Sequence, residues 1–574
     1  MEALTPAEQL RIDVTGRRAA TAVATWGQRA IWHCLDSAPE AEAHFNLART
    51  VEVPEGCDTR SVTRAVAELV RAHDALRTVF HFADSRLWQT VQASGTLSLA
   101  RYQVTDGPDE AARTIAAELA GRPFGRNEWQ VRFALVTDGA RPSRLAVAVG
   151  HLAVDQEGLR QLTGDLRQAL AGRRIEPRSC QPLDVAAYEQ SPQGRAASER
   201  ALRHWSRGLR TAPATLFDYP RRAEGTPRFR RLVMRSEAIA VAAELAASRM
   251  RVSSTSVLLA ATVSALGEFT GHRVVPMQTI CSNRENPARR HVVGTLSWDG
   301  LITVDTGQAS FRQTVRKTFQ AGLTAYGNGY YDPEEAWRLR RHHEHLRGAT
   351  QDLAAHFNDI RGRSGGRVDQ WDPGPAALGR LTERTTVAEA ACPDTSDARF
   401  YLTVRSADPC TLLSLVCDTG YFSVGDMRHV LHAVERVVTA AAHDDLEGPL
   451  LGSTLGITRV GRPDWVPYAE GWVDLAAARR LWQEVTGDAT ARLFLDRATQ
   501  PPDGTAELVG YLADRPARRA AELHSAFMAA LGGRSDVRAP DRYVVCARAP
   551  HDPDSREAWA RETVLSEGSG RDDA

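Results

Sequence analysis

His151 and Asp155, separated by Leu152-Ala153-Val154, are the pair in this chain best suited to proton chemistry. Imidazole is the one side chain whose ordinary pKa lets it take up and return a proton near neutral pH. A carboxylate four residues on can hold the intervening turn by an ion pair. With 17 histidines in the chain, the spacing alone is about what chance supplies, and a structural histidine is the competing reading. Position raises its value: the apolar run Leu145–Val149 ends at Gly150-His151, and an apolar stripe at helical spacing (Leu159, Leu162, Leu166, Ala169, Leu170) opens after Asp155. A strand that runs out into a helix presents its last side chains to a cleft.

Three other patterns carry less. Gly362-Arg363-Ser364-Gly365-Gly366 fits G-x-S-x-G, but no apolar strand leads into it and no helix follows, so a Gly/Arg loop is expected. His342-His343-x-His345 has metal-ligand residue types on an Arg/Glu-rich helical face, where a solvated surface is the default, and no metal is expected. There is no G-x-x-x-x-G-K segment to cradle a nucleotide phosphate.

The elements that must position these groups read as alternating strands and helices. A strand at 45–53 ends in Pro54-Glu55-Gly56, and a helix carrying Val62, Val66, Leu69 and Val70 follows, capped by Asp58 or Thr59. Strands are predicted at 78–82, 131–136 and 145–149, then the helix after Asp155. Residues 173–182 read as a hinge. A second run carries strands at 229–235, 274–282, 385–389, 401–406 and 412–417, with helices at 239–248, 254–269, 311–323, 334–346 and 424–442. Beyond a Gly/Pro-rich stretch, strands near 491–495, 507–512 and 541–547 alternate with helices.

The 574 residues, 43% hydrophobic and 25% charged, are those of a globular chain with room for several cores. Seventy-one basic residues balance 71 acidic ones, so neither nucleic acid nor an anionic membrane is expected as a bulk electrostatic partner. Eight cysteines without a C-x-x-C pair read as free thiols in a reducing compartment. No apolar window reaches transmembrane length, and a cytoplasmic location is expected.

Several segments, in order, resemble the condensation-domain family of nonribosomal peptide synthetases, relatives of chloramphenicol acetyltransferase, in its freestanding actinobacterial form. They are Trp26-Gly27-Gln28-Arg29-Ala30-Ile31-Trp32, Arg71-Ala72-His73-Asp74-Ala75-Leu76-Arg77-Thr78-Val79-Phe80, His151-x-x-x-Asp155, Asn283-Arg284-x-x-Pro287 with Val293-Gly294-Thr295-Leu296, and Tyr330-Tyr331-Asp332-Pro333 with Phe357-Asn358-Asp359. The likeness covers about the first 445 residues. The family's His-His-x-x-x-Asp-Gly signature is altered: Gly150 stands for the first histidine and Gln156 for the glycine, with Gly158 two residues later. No copy of the family's Asp-Phe-Gly-Trp-Gly segment occurs between 360 and 400.

The resemblance implies an α/β fold of two chloramphenicol-acetyltransferase-like lobes in a V-shaped pseudo-dimer, plus a small C-terminal α+β unit. The expected division is a leader at 1–19, lobes at 20–180 and 186–445, a linker at 446–472, the small unit at 473–565 and a disordered tail at 566–574. It further implies His151 as general base, and Asp155 paired with an arginine, for which Arg284 is the candidate. Backbone N–H groups near Gly158 would support oxyanion character, and Gly150, Gln156, Arg77 and Trp298 are the cleft candidates. The implied reaction transfers an acyl or aminoacyl group from a phosphopantetheine thioester, borne on a carrier protein docking in trans through arginine-bearing surfaces, to a small-molecule or carrier-bound amine. A hydroxyl acceptor is the near variant; no cofactor is bound by the enzyme itself. The alternative is a catalytically silent module of the same fold that recruits partner enzymes, and other chemistry in the same channel also stays open.

Gly471-Trp472-Val473-Asp474, 506–512 and Pro540-Asp541-Arg542-Tyr543-Val544-Val545 resemble the small C-terminal subdomain of acyl-adenylating enzymes, where Pro553-Asp554-Ser555-Arg556 stands in place of a lysine-bearing Pro-x-Gly-Lys. This implies a docking or stabilising remnant rather than adenylation.

Overall fold

The structure is a computed structural model and describes residues 5–37, 42–125, 127–222, 227–307, 310–361, 373–392, 396, 398–468, 471–497, 506–514 and 518–571. Its residues pack as two units: 1–201 with 280–299 and 328–335, and 202–279 with 300–327 and 336–574.

The first part of the chain carries β1 (Glu8–Thr15), β2 (Ala20–Val23), α1 (Trp26–Ser37), α2 (Glu42–Phe45), β3 (Leu47–Glu52), α3 (Thr59–Ala72), β4 (Thr78–Ala83), β5 (Arg86–Val91), β6 (Ser94–Val104), α4 (Pro108–Ala120), β7 (Val131–Asp138), β8 (Arg141–Val149), α5 (Gln156–Leu170), α6 (Pro182–Gln190) and α7 (Pro192–Thr211). Among the described residues these strands form a sheet of order β1-β6-β7-β8-β3 and a smaller one, β2-β5-β4. Successive residues of a strand face opposite sides, and β8 uses both. Leu145, Val147 and Val149 join the core built with Leu159 and Leu162 of α5 and Val62 and Leu69 of α3, while Ala146 and Ala148 pack under Ile115 of α4.

The opening residues are not a frayed leader. In β1, Glu8 to Thr15 pair antiparallel with Arg101 to Ser94 of β6, burying Ile12 and Val14. The alternation E-Q-L-R-I-D-V-T carries this edge strand, with its charged residues turned to solvent.

The second part comprises β9 (Phe229–Ser236), α8 (Glu237–Met250), α9 (Ser254–Thr270), β10 (Val274–Cys281), β11 (Trp298–Asp305), α10 (Phe311–Gly327), α11 (Pro333–Arg347), β12 (Ala355–Asp359), α12 (Pro375–Thr382), β13 (Thr386–Ala390), β14 (Phe400–Ala407), β15 (Cys410–Asp418) and α13 (Val424–Ala441). Its sheet has the order β11-β10-β12-β14-β15-β9-β13. Helix α9 is apolar on every side because α8, α10 and α13 pack around it. Among the described residues no single helix is long and apolar enough to cross a membrane. The G-x-S-x-G segment lies outside the described residues.

The chain continues through α14 (Gly448–Leu455), β16 (Val466–Tyr468), β17 (Gly471–Val473), α15 (Leu475–Thr486), β18 (Arg492–Arg497), β19 (Ala506–Ala513), α16 (Ala520–Leu531), β20 (Arg542–Cys546), α17 (Arg556–Trp559) and β21 (Val564–Gly568). Trp482, Phe527 and Tyr543 fill a core of their own beneath the sheet β18-β19-β20-β21. The tail expected to be disordered from 566 instead contributes β21, whose Ser566 to Gly568 pair with Val545 to Tyr543. Buried Asp218 ties the connecting residues down: it bonds His272 Nε2 at 2.9 Å and accepts from Arg462 at 2.8 Å and the Trp472 N–H at 2.9 Å. Arg556 is paired to Asp496.

Candidate active site

The site grows out of the β7–β8 hairpin. Val131 pairs with Val149, so Gln130 and Gly150 face each other just beyond the ladder, and the Gly150 N–H donates to the Gln130 carbonyl at 3.1 Å. A tight turn follows, with the N–H groups of Ala153 and Val154 both reaching the Gly150 carbonyl. Asp155 then caps α5, accepting the Gly158 N–H at 2.7 Å on Oδ1.

Asp155 is 1% exposed and fully occupied. Arg284 donates to both oxygens, Nη2 to Oδ1 at 2.8 Å and Nη1 to Oδ2 at 2.9 Å, in a bidentate pair. Oδ2 also accepts the N–H groups of Leu296 (2.9 Å) and Ser297 (2.8 Å) and the Ser297 hydroxyl at 2.8 Å. Burial alone would raise this carboxyl, but the Arg284 charge and hydrogen bonds, with the Gly158 and Leu296 amides, carry it down to about 2. Arg284 in turn grips the carbonyls of Ser282, Val292 and Gly294. Gly158 allows the close approach, since a β-carbon there would lie 2.9 Å from the Gly294 carbonyl oxygen. Its N–H serves Asp155, so it is not available as the oxyanion donor that the sequence suggested.

His151 is half-buried on the turn so clamped, and the Thr295 hydroxyl donates to its carbonyl at 2.6 Å. Its Nδ1 is buried without a hydrogen-bond partner. Burial holds the ring below the usual imidazole value, against the opposing pull of its own backbone and the Asp155 charge, so the imidazole is neutral at neutral pH. Together with Gly150 and Gln130 it lines a cavity of about 250 Å³ walled by Trp32, Phe80, Phe124 and Leu152. A neutral imidazole on an aromatic-walled cavity can accept a proton from a nucleophile held there.

The remaining candidates fall elsewhere. Arg77 is not a cleft residue: it is 0% exposed, pairs with Asp74, and donates to the carbonyls of Val70, Arg18 and Gln92. A buried guanidinium needs acceptors for its donors, and here three backbone carbonyls and one carboxylate take four of the five. Gln156 is exposed at the first position of α5, and Trp298 is half-buried at the start of β11; neither lines the cavity. Gln130 and Phe124 carry no motif that singles them out in the sequence, although the hairpin register alone sets residue 130 opposite residue 150, and Trp32 closes the motif segment of α1 without any sign there that it lines a cavity.

A second buried cluster braces α1. Gly27 approaches the Thr295 carbonyl so closely that a β-carbon would overlap its oxygen. Glu189 accepts the Trp26 N–H at 2.8 Å and the Tyr330 hydroxyl at 2.7 Å, and burial pushes its carboxyl up to about 8. Arg29 pairs with Asp332 and Glu334. Among the described residues no group of three or more His, Cys, Asp or Glu side chains is placed to hold a metal ion.

The family model for the condensation domain matches residues 19–345, more than half of the chain. The chain belongs to the condensation-domain family. Among curated relatives, a linear gramicidin synthase of Brevibacillus parabrevis is 29% identical over 250 residues, which are 40% of this chain and 5% of that synthase. This chain therefore spans a small part of such a relative's length. Among solved structures, the condensation domain of the monacolin K polyketide synthase MokA superposes with a TM-score of 0.59 at 14% identity, covering 74% of this chain and 98% of that one. The condensation domain of chain release from the enacyloxin polyketide synthase gives 0.56 at 21% identity, covering 77% and 84%. These likenesses establish a chloramphenicol-acetyltransferase-like fold, and the His151-x-x-x-Asp155 segment forms its β8–α5 turn.

Proposed function

We propose that this protein is a freestanding condensation enzyme of natural-product assembly. It transfers an acyl or aminoacyl group from a carrier-borne phosphopantetheine thioester, supplied in trans, to an amine. The amine nitrogen attacks the thioester carbonyl carbon, the C–N bond forms and the C–S bond breaks. His151 takes the proton lost by the amine and returns it to the leaving sulfur. A hydroxyl acceptor follows the same course to an ester. A positioned base of this kind contributes roughly a hundred- to ten-thousand-fold, and holding both reactants in one cavity adds to it. Asp155 and Arg284 do not touch substrate; they fix the turn that carries His151.

The observation that carries this reading is His151 lining an aromatic-walled cavity on a turn clamped by the Asp155–Arg284 pair, where burial favours the neutral ring. The test is single-turnover transfer from an acylated carrier to an amine, comparing wild type with His151→Ala at matched melting temperature. A rate loss of about a hundredfold or more supports the base role. A variant as active as wild type sinks it.

A second reading, a silent module that positions partner enzymes, is favoured by one feature: Gln130 occupies the space beside Gly150 where the family signature has its first histidine. It predicts that His151→Ala leaves pathway output unchanged.

A further inference from the structure

A cavity of about 660 Å³ lies in the second unit, where the end of α7, the last turns of α11 and the C-terminal residues meet. Its wall is cationic: Arg210, Arg347, Arg538 and Arg571 line it beside His342 and His343. Among the described residues of that wall the one carboxylate, Asp541, is already engaged by the Tyr468 hydroxyl, the Leu508 N–H at 2.8 Å and Arg571 at 3.0 Å. Arg347 is turned onto the carbonyls of Leu209, Arg210 and Ala212.

Arg538 decides the reading. It is 8% exposed, and its Nε is buried without a hydrogen-bond partner. Among the described residues its guanidinium meets the face of Tyr468, 4.9 Å from the ring centroid, and no carboxylate. A ring face satisfies the charge in part and the five N–H donors not at all. Arg210 is exposed at the rim. The positive field is felt by its neighbours: burial, with the charges of His342, Arg210 and Arg347, holds the His343 ring below its ordinary value.

We propose that this cavity binds a small molecule bearing a phosphate or pyrophosphate group, held by Arg538 and Arg210. The guanidinium fork matches phosphate oxygens in pairs. A phosphate ester brings roughly two negative charges at neutral pH, which a single carboxylate does not. The volume lies within the range of about 300–1,000 Å³ usual for small-ligand sites and leaves space for an organic part beyond the phosphate. No residue of this wall lines the His151 cavity, and the proposal does not rest on the acyl-transfer reading.

The test is calorimetric titration of the full-length protein with pyrophosphate and with orthophosphate, in chloride buffer of constant ionic strength. Wild type binds at least one of them saturably, and Arg538→Gln and Arg210→Gln each weaken that binding by about tenfold or more. Without phosphate, Arg538→Gln melts at the wild-type temperature or above it, because removing an uncompensated buried cation relieves repulsion. Absence of saturable binding by wild type, or wild-type affinity in both variants, overturns the proposal. So does a lowered Arg538→Gln melting temperature with Arg210→Gln binding unchanged, which makes Arg538 a structural residue.

Discussion

The side-chain oxygen of Gln130 stands where a side chain on Gly150 would have to begin, overlapping the position of an added β-carbon. The two residues share one space across the hairpin: the glycine leaves room, and the glutamine fills it. Gln130 is held there by its amide, which donates to the carbonyls of Gly125 and Glu128 at 3.2 and 3.0 Å.

Restoring the family histidine by Gly150→His alone overpacks this space. It is expected to cost about 1–3 kcal/mol of stability. Adding Gln130→Gly recovers most of the loss. Chemical denaturation of the two variants checks this, and equal midpoints for single and double variant contradict the shared-space account.

If His151 is the base, the acid side of the pH–rate profile reports its titration. A base must be neutral to act, and burial favours the neutral form, so the rate is retained at neutral pH and lost below an inflection lying under the ordinary 6.5. The measurement is kcat/KM for amide formation from about pH 4.5 to 8. An inflection above 6.5 means that the ring is not held as the structure has it.

Asp155→Asn leaves the Arg284 guanidinium buried without its carboxylate. The expected loss is about 3–5 kcal/mol at neutral pH, read from urea midpoints. In wild type the folded carboxyl lies near 2 against an ordinary 3.8. Its contribution of roughly 2 kcal/mol is therefore complete above about pH 4 and lost as pH falls towards 2. The Asn variant lacks this acid dependence.

Glu189 has the opposite sign. Its folded carboxyl is raised to about 8 from 4.5, so the native state stays protonated where the unfolded chain ionises. Stability is full below pH 4.5 and falls as pH rises through 8, by up to about 1.4 kcal/mol per unit from this one group. Glu189→Gln keeps the neutral shape and removes that slope. Parallel stability curves for the two proteins between about pH 5 and 8 would count against a protonated Glu189.

Much of this was legible in the sequence because local signals sufficed. Asp58 caps α3 by accepting the Ser61 N–H at 2.8 Å, and the apolar stripe after Asp155 is α5. The Asp155–Arg284 pair followed from the family's motif order, since no local signal links residues 129 positions apart. Strand β1 was hidden by its charged outward face and its place at the chain's start. Arg77 misled because an arginine in a motif reads the same whether it faces a cleft or a ring of carbonyls. The cavity wall escaped because Trp32, Phe80 and Phe124 come from separate elements, and only the packed sheet gathers them.

The oxygens of Asp155 are met by donors at 158, 284, 296 and 297, so the turn bearing His151 is completed by residues more than a hundred positions downstream. Such a contact forms only after a long loop has closed, which places it late in folding and makes it slow to form. During synthesis the stretch through residue 201 emerges with Asp155 still lacking its arginine. The histidine therefore acquires its setting only once residues 280–299 have left the ribosome and threaded home, and a chain interrupted before them yields a sheet whose β8–α5 turn lacks its clamp.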